Sequence, residues 1–353
     1  MNVVYIIGNG FDLQVGLPTS YQDFYRYYTG LESKSESVKK LKEAIKDKPK
    51  DWSDLEMALG QYSAQTESVQ EFCEAYDDLQ RSLRDYILKI DELMKDGELV
   101  LNVDADTLER GFTYPESVFG SDETYTIEGE YESIAPGLMR GQNIYNASVI
   151  TFNYTHVIEH YLKQILEDRF QNRSRYLNSV QHVHREVAKN QSVWVGVDNE
   201  EQVLQEDYRT NPEVRVRLLK PWILSSRSRR MLNDAKNLIQ SADVLIIFGA
   251  SLGPSDQTWA MLVSEKVSNG ALVMLFIYNG KSYPSDNAKL NDQIRYRDEV
   301  VKKMEQYGVK ILDDSRIFVE INSAIFTNDL PNSHDDNLKL ALQKLSGPIA
   351  IAM

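Results

Sequence analysis

"VVYIIGNGFDLQVGLPTSYQDF" runs from residue 3 to residue 24. Its first five residues are all β-branched or aromatic, the composition of a strand covered on both faces. The run stops at Gly8, and Gly10 follows one residue later. Lacking a Cβ, Gly8 and Gly10 let the backbone turn sharply and let a ligand come close. N–H groups around such a turn, ahead of a helix, make an anion or ribose site. Asn9 and Asp12 lie in the same loop. A glycine turn that serves only the chain reversal is the alternative. The dinucleotide fingerprint GxGxxG is not met, because Leu13 stands where its third glycine belongs. "LPTSYQDF" signals a helix start, with Thr19 or Ser20 as N-cap and Asp23 in the first turn.

The same unit recurs along the chain. Further apolar runs lie at "ASVITF" (147–152), "ADVLIIF" (242–248), "ALVMLFIY" (271–278) and "VKILDD" (309–314). None alternates cleanly, as expected of parallel strands buried on both faces. Helical patterns follow most of them, in "TSYQDFYRYY", "THVIEHYLKQILEDRF", "SDQTWAMLVSEKVSN" and "DEVVKKMEQYG". Strand then helix, repeated, predicts an α/β fold: a Rossmann-like, doubly wound, mostly parallel sheet.

Residues 33–142 break that rhythm. "SVKKLKEAIKD", "WSDLEMALGQYS" and "VQEFCEAYDDLQRSLRDYILKIDELM" repeat at the helical period, and no central strand is evident among them. Residues 104–142 are acidic and rich in Gly, Tyr and Ser, and read as loop with short irregular elements. Residues 178–200 read as a strand, a polar turn and a second strand. The expected organisation is 1–32 as the first part of a nucleotide-binding domain, 33–142 as a mostly helical insertion, 143–330 as the remainder, and 331–353 as a C-terminal tail or helix.

The chain has 353 residues and a formal net charge of −14. That balance argues against a nucleic acid partner, which needs clustered Lys and Arg. The basic stretch "SSRSRR" (225–230) reads as a solvated segment. No apolar run approaches the ~20 residues of a membrane span. Cys73 is the single cysteine, which excludes an intrachain disulfide and a paired-cysteine zinc site. A cytoplasmic protein with no metal is expected.

Four further constellations carry candidate chemistry. In "VITFNYTHVIEHY", Asn153 follows the strand, either capping the next helix or presenting its amide to a ligand. His156 and His160 share a helix face, but no HExxH carboxylate accompanies them. In "VQHVHREV", His182 and His184 alternate onto one strand face, and either can serve as general base. In "VLIIFGASLGPSDQ" a strand again ends in glycine, and Gly249, Ser251, Gly253 and Asp256 repeat the design of the opening loop. In "WSDLEMALG", Trp52, Leu55 and Leu59 are expected on one helix face, with Glu56 either on the surface or delivered over the pocket. In an open parallel sheet, ligands bind outside the carboxyl ends of the strands, where these loops fall.

Together, "IIGNGFDLQVGLPTSYQDF", "WSDLE", "TFNYT", the His strand and "FGASLGPSD" resemble the AbiH family of bacterial phage abortive-infection proteins. That family is distantly similar to sirtuin-like (SIR2) NAD-binding proteins. The resemblance implies NAD or a related nucleotide lying across the strand ends. It matches Gly8, Asn9 and Gly10 to a glycine loop, Asn153 to an amide near the nicotinamide ribose, His184 to a general base, and Gly249 and Ser251 to a ribose and phosphate loop. Asp12 is assigned to a ribose hydroxyl, and Gly253 and Asp256 to the same nucleotide site. Two departures stand out. Thr155 occupies the sirtuin Asp position, and Arg185 follows the histidine where Gly is usual, which keeps His182 as a rival. The implied function is an anti-phage effector that hydrolyses the N-glycosidic bond of its nucleotide. A non-catalytic nucleotide-sensing module and a nuclease-type toxin are the alternatives. A homo-oligomer or a defence-system partner protein is the expected assembly.

Overall fold

The computed structural model describes residues 1–168, 174–188, 191–227, 229–306, 311, 314–327 and 333–346. Six strands form one sheet: β1 (Asn2–Ile7), β2 (Tyr145–Thr151), β3 (Arg175–His182), β4 (Val244–Phe248), β5 (Leu272–Ile277) and β6 (Ile317–Ile321). All neighbours pair in parallel, in the order β3-β2-β1-β4-β5-β6. This is the doubly wound α/β arrangement. Winding reverses between β1 and β4, which opens a crevice outside their carboxyl ends.

Both faces of β1 are buried, which is why its sequence does not alternate. Val3, Tyr5 and Ile7 join one core, and Val4 and Ile6 join another. The first core also takes the apolar faces of the helices lying between β1 and β2. The longest of these, Val69–Lys95, is capped by Ser68 and turns Phe72, Tyr76, Leu79, Leu83 and Tyr86 inward. The second core takes Trp259, Ala260 and Val263 from the helix Gln257–Ser268.

Several elements differ from the sequence reading. Residues 104–142 are not loop-like: they hold the helices Ala105–Thr113 and Ser121–Ile134. Gly111 lies inside the first because a Cβ there would come within 2.5 Å of the Phe326 ring. Among the described residues, the second strand expected before residue 200 does not form, and the isolated bridge Val197 to Leu219 is made there instead. The 309–314 strand falls largely outside the described residues, and the sixth strand is instead Ile317–Ile321. Trp52 precedes its helix, which begins at Leu55 after the N-cap Asp54. Residue 228 of the basic stretch also lies outside the described residues, which there end one helix at Arg227 and begin another at Arg229. The C-terminal segment holds a helix, His334–Ser346. Among the described residues, no helix is long and apolar enough to cross a membrane.

Candidate functional site

The opening loop and the loop after β4 press against each other. Gly8 N donates to Phe248 O, and Gly10 N donates to Gly249 O at 3.1 Å. A Cβ on Gly8 would lie 2.5 Å from Gly249 O, and Gly249 has a φ of +63°. The glycines therefore let two backbones meet at the switch point. Asn9 exchanges side-chain hydrogen bonds with Thr19, which pins its loop to the helix start. Ser20 is the N-cap there, accepting from Asp23 N.

A chamber of about 260 Å³ lies beside this junction, at the ends of β1, β2, β3 and β4. Asp12, Asn153, His184, Glu56 and Asp256 all line it, although they come from five separate stretches of sequence. A second cavity, of about 500 Å³, lies at the ends of β4 and β5; Gly10 and Phe248 line it, and Gly249 lines both. Gly10 and His182 line other cavities, while Gly253 is buried without lining the chamber.

Asp12 is 1% exposed. Asn153 Nδ2 donates to its Oδ1 and Thr155 Oγ1 donates to its Oδ2, each at 2.7 Å. Burial pushes the Asp12 carboxyl up to about 7, against the opposing pull of those two donors. Thr155 therefore supports a carboxylate where a second one would repel it. With Nδ2 committed to Asp12, Asn153 Oδ1 is a buried acceptor without a partner, in a side chain lining the chamber.

The two histidines do not share a face. β3 ends at His182, which bonds Asn153 O at 2.8 Å and Glu159 Oε1 at 2.7 Å. His184 instead enters the chamber, where its Nε2 lies 3.1 Å from Asp256 Oδ1, at ion-pair distance without hydrogen-bond alignment. Arg185 follows with a φ of +72°, the left-handed region that favours glycine. Its guanidinium lies over the Trp194 ring at 5.4 Å. The chain thus makes a glycine-like turn after His184 with an arginine. His156 precedes its helix and bonds Asp91.

Lys220, 2% exposed, is the residue the sequence reading missed. Its Nζ donates to Glu56 Oε2, Ser255 O and Asp256 Oδ1, each at 2.7 Å. Burial works against its charge, and Asp256 and Glu56 more than reverse that, holding the ammonium well above its ordinary value. Burial also pushes Asp256 up, but Lys220 and His184 override it and keep the carboxyl well below the usual range. Glu56 is held above its ordinary value, because burial outweighs Lys220 and His184. Its other oxygen accepts from Gly196 N at 3.1 Å. A lysine within the apolar run "LLKPWIL" was the available signal, since a lysine buried there needs anionic partners.

Asp256 stands at the N-cap position of the helix Gln257–Ser268 but makes no capping bond. Asp198 caps that first turn instead, accepting from Thr258 N. Asp256 is thereby free for Lys220 and His184. Among the described residues, no group of three or more His, Cys, Asp or Glu is arranged to hold a metal ion.

Fold and site together define a doubly wound α/β protein with a polar chamber at the switch point of its sheet. The chain belongs to the AbiH family: the family model described as bacteriophage abortive infection AbiH matches residues 4–278, a span that includes every chamber residue named above. Its role is accordingly in bacteriophage abortive infection. Compared with curated proteins, the chain has no match.

Proposed function

We propose that this AbiH-family protein is a cytoplasmic abortive-infection effector that binds NAD or a related nucleotide and hydrolyses its N-glycosidic bond in a sirtuin-like manner. The observation that carries the reading is Asn153. Its amide is fixed by Asp12 through Nδ2, while Oδ1 is left as an unpaired acceptor in the wall of the chamber. An acceptor so placed suits the ribose hydroxyls or the attacking water. The flanking cavities, both lined by Gly249, match in number the two nucleosides of a dinucleotide.

In this reading water attacks the ribose C1′ and the C1′–N bond breaks. The base departs with the bonding pair, as neutral nicotinamide in the case of NAD. His184 takes the proton from the water, with Asp256 stabilising the imidazolium. Asp12 acts through Asn153, because both of its oxygens already accept hydrogen bonds. The backbone of the two glycine loops borders the sugar and the start of the diphosphate.

A nucleotide sensor without chemistry is the second reading. Asp256 Oδ1 favours it, lying closer to Lys220 than to His184, so the histidine competes for its partner. Following nicotinamide release from NAD by the purified protein, with and without phage components, decides between them. Release that is lost in both Asn153→Ala and His184→Ala supports hydrolysis. Nucleotide binding with no release under any condition supports the sensor. The oligomeric state of the active form, as a homo-oligomer or with a partner protein, is read by light scattering in the same samples.

A further inference from the structure

Asn153 is held from three directions. Its backbone N–H donates to Thr151 Oγ1 at 3.1 Å, its Nδ2 donates to Asp12 Oδ1, and its carbonyl oxygen lies 2.8 Å from His182 Nδ1. His182 is the last residue of β3, so this third contact ties residue 153 to the neighbouring strand. The unpaired Oδ1 sits where these contacts leave it. At the far end of the turn, His156 N donates to Asp91 Oδ1 at 2.8 Å.

His182 is buried, and both of its ring nitrogens meet acceptors. A carbonyl oxygen accepts and never donates, so Nδ1 must carry a hydrogen. Nε2 lies 2.7 Å from Glu159 Oε1. Burial pushes the Glu159 carboxyl up, and His182 more than reverses that, holding it below the ordinary range as a carboxylate. Nε2 must then carry a hydrogen as well. Only the imidazolium satisfies both partners. Burial works against that charge, and Glu159 and the Asn153 carbonyl outweigh it, holding His182 above its ordinary value.

The surrounding charges are mixed. The His156 ring lies 5.8 Å from the His182 ring, between Asp91 and Glu186, and Lys95 pairs with the same Asp91. Asp12 stands beyond Asn153. Arg185, Glu186, Arg230 and Asp234 line an outer cavity of about 710 Å³ together with His182 and Glu159. His182 faces that cavity and does not line the chamber, so its proton exchanges with water by a route outside the chamber.

We infer that His182 is a positioning residue for the chamber: its doubly protonated ring clamps the Asn153 backbone and so places the free Oδ1, and loss of one proton releases the clamp. The proton that remains stays with the carboxylate, the stronger acceptor. Nδ1 then turns a lone pair toward Asn153 O, and residues 153–155 loosen. The inference rests on the reading of Asn153 as the ligand-facing amide and adds the group that orients it.

Glu159→Gln separates the charge from the contacts. A glutamine amide can donate to Nε2, so a neutral ring keeps Nδ1–H on Asn153 O at every pH. Nitrogen–proton NMR of the full chain with labelled histidines reads the protonation of each ring nitrogen. Hydrogen exchange by mass spectrometry over residues 151–156 reads the turn. In the wild type, both His182 nitrogens are expected to be protonated near neutral pH. Exchange of the segment, corrected for its intrinsic rate, should rise at least about tenfold as the ring titrates. Glu159→Gln should hold a neutral ring and show no such rise. Calorimetric titration with NAD+ over the same pH range should give an affinity that falls with the wild-type titration and stays flatter in the variant. A singly protonated His182 in the wild type at neutral pH, or the same rise in exchange in both proteins, overturns the inference. If NAD+ does not bind but the exchange result holds, the clamp stands and the nucleotide reading fails. If NAD+ binds with one pH dependence in both proteins, the positioning role fails and the nucleotide reading stands.

Discussion

Lys220 Nζ lies 2.7 Å from Asp256 Oδ1, and that same oxygen lies 3.1 Å from His184 Nε2. One carboxylate therefore links a buried ammonium to the histidine of the chamber. Lys220→Met leaves buried Glu56 and partly buried Asp256 without their shared ammonium, and is expected to destabilise the fold by about 3–5 kcal/mol. Adding Glu56→Gln to that variant should recover part of the loss, because one uncompensated charge is removed. Urea denaturation of the two singles and the double measures the coupling. Strictly additive losses would show that the network is not cooperative.

Asp12 gives the stability a pH signature. Its folded value of about 7 exceeds the ordinary carboxyl value of 3.8. Between those pH values the folded chain holds a proton that the unfolded chain has released. Stability from this group is therefore full below the lower value and is lost as pH rises to the upper one. Asp12→Asn does not titrate, and Thr155 can reverse its hydroxyl to keep the bond. The variant should gain on the wild type across that window, by on the order of 4 kcal/mol at most. Denaturation curves at several pH values read this directly, and a constant difference would refute it.

The two glycine loops make a steric prediction. Gly8→Ala forces a Cβ against Gly249 O and should cost about 1–3 kcal/mol. Gly249→Ala meets Gly10 as closely and adds the strain of its positive φ, so it should cost more. Gly253 has a φ of −75°, and a Cβ there would meet Ser251 Oγ at 3.5 Å, an ordinary contact, so Gly253→Ala should be close to neutral. Thermal melts of the three variants should follow that order; a Gly253→Ala variant as unstable as Gly8→Ala would contradict it.

Arg185 carries its left-handed turn at a cost. Arg185→Gly relieves that strain but gives up the stacking on Trp194, so its stability should stay within about 1 kcal/mol of the wild type. Arg185→Val keeps the strain and loses the stacking, and should be destabilised by about 2 kcal/mol. If the fold tolerates Val as readily as Gly, the turn is not held in this conformation.

Much of the fold was legible in the chain. β1, β2, β4 and β5 are apolar runs buried on both faces, and such runs are visible without tertiary context. β6 was missed because "RIFVEI" carries charges at both ends of its pattern. Glu320 is buried there against Lys289, a pairing the local sequence does not announce. The helices of residues 105–134 were missed for a related reason: their Gly and acidic residues suit a loop until Phe326 and Arg316 meet them. In the candidate site, Asn153, Asp12, Glu56 and Asp256 were readable as polar residues at strand and helix ends.

By itself the sequence determined the parallel strands, the glycine turns at their ends and the polar residues placed just beyond. Those follow from burial periodicity and backbone sterics, which act over a few residues. Only the tertiary structure decided that His184 enters the chamber while His182 pairs with Glu159, and that Asp198 caps the helix Asp256 would otherwise cap. It alone brought Lys220 to Glu56, 164 positions earlier in the chain. Ion pairing and cavity shape depend on which distant side chains share one low-dielectric space, and no local pattern encodes that.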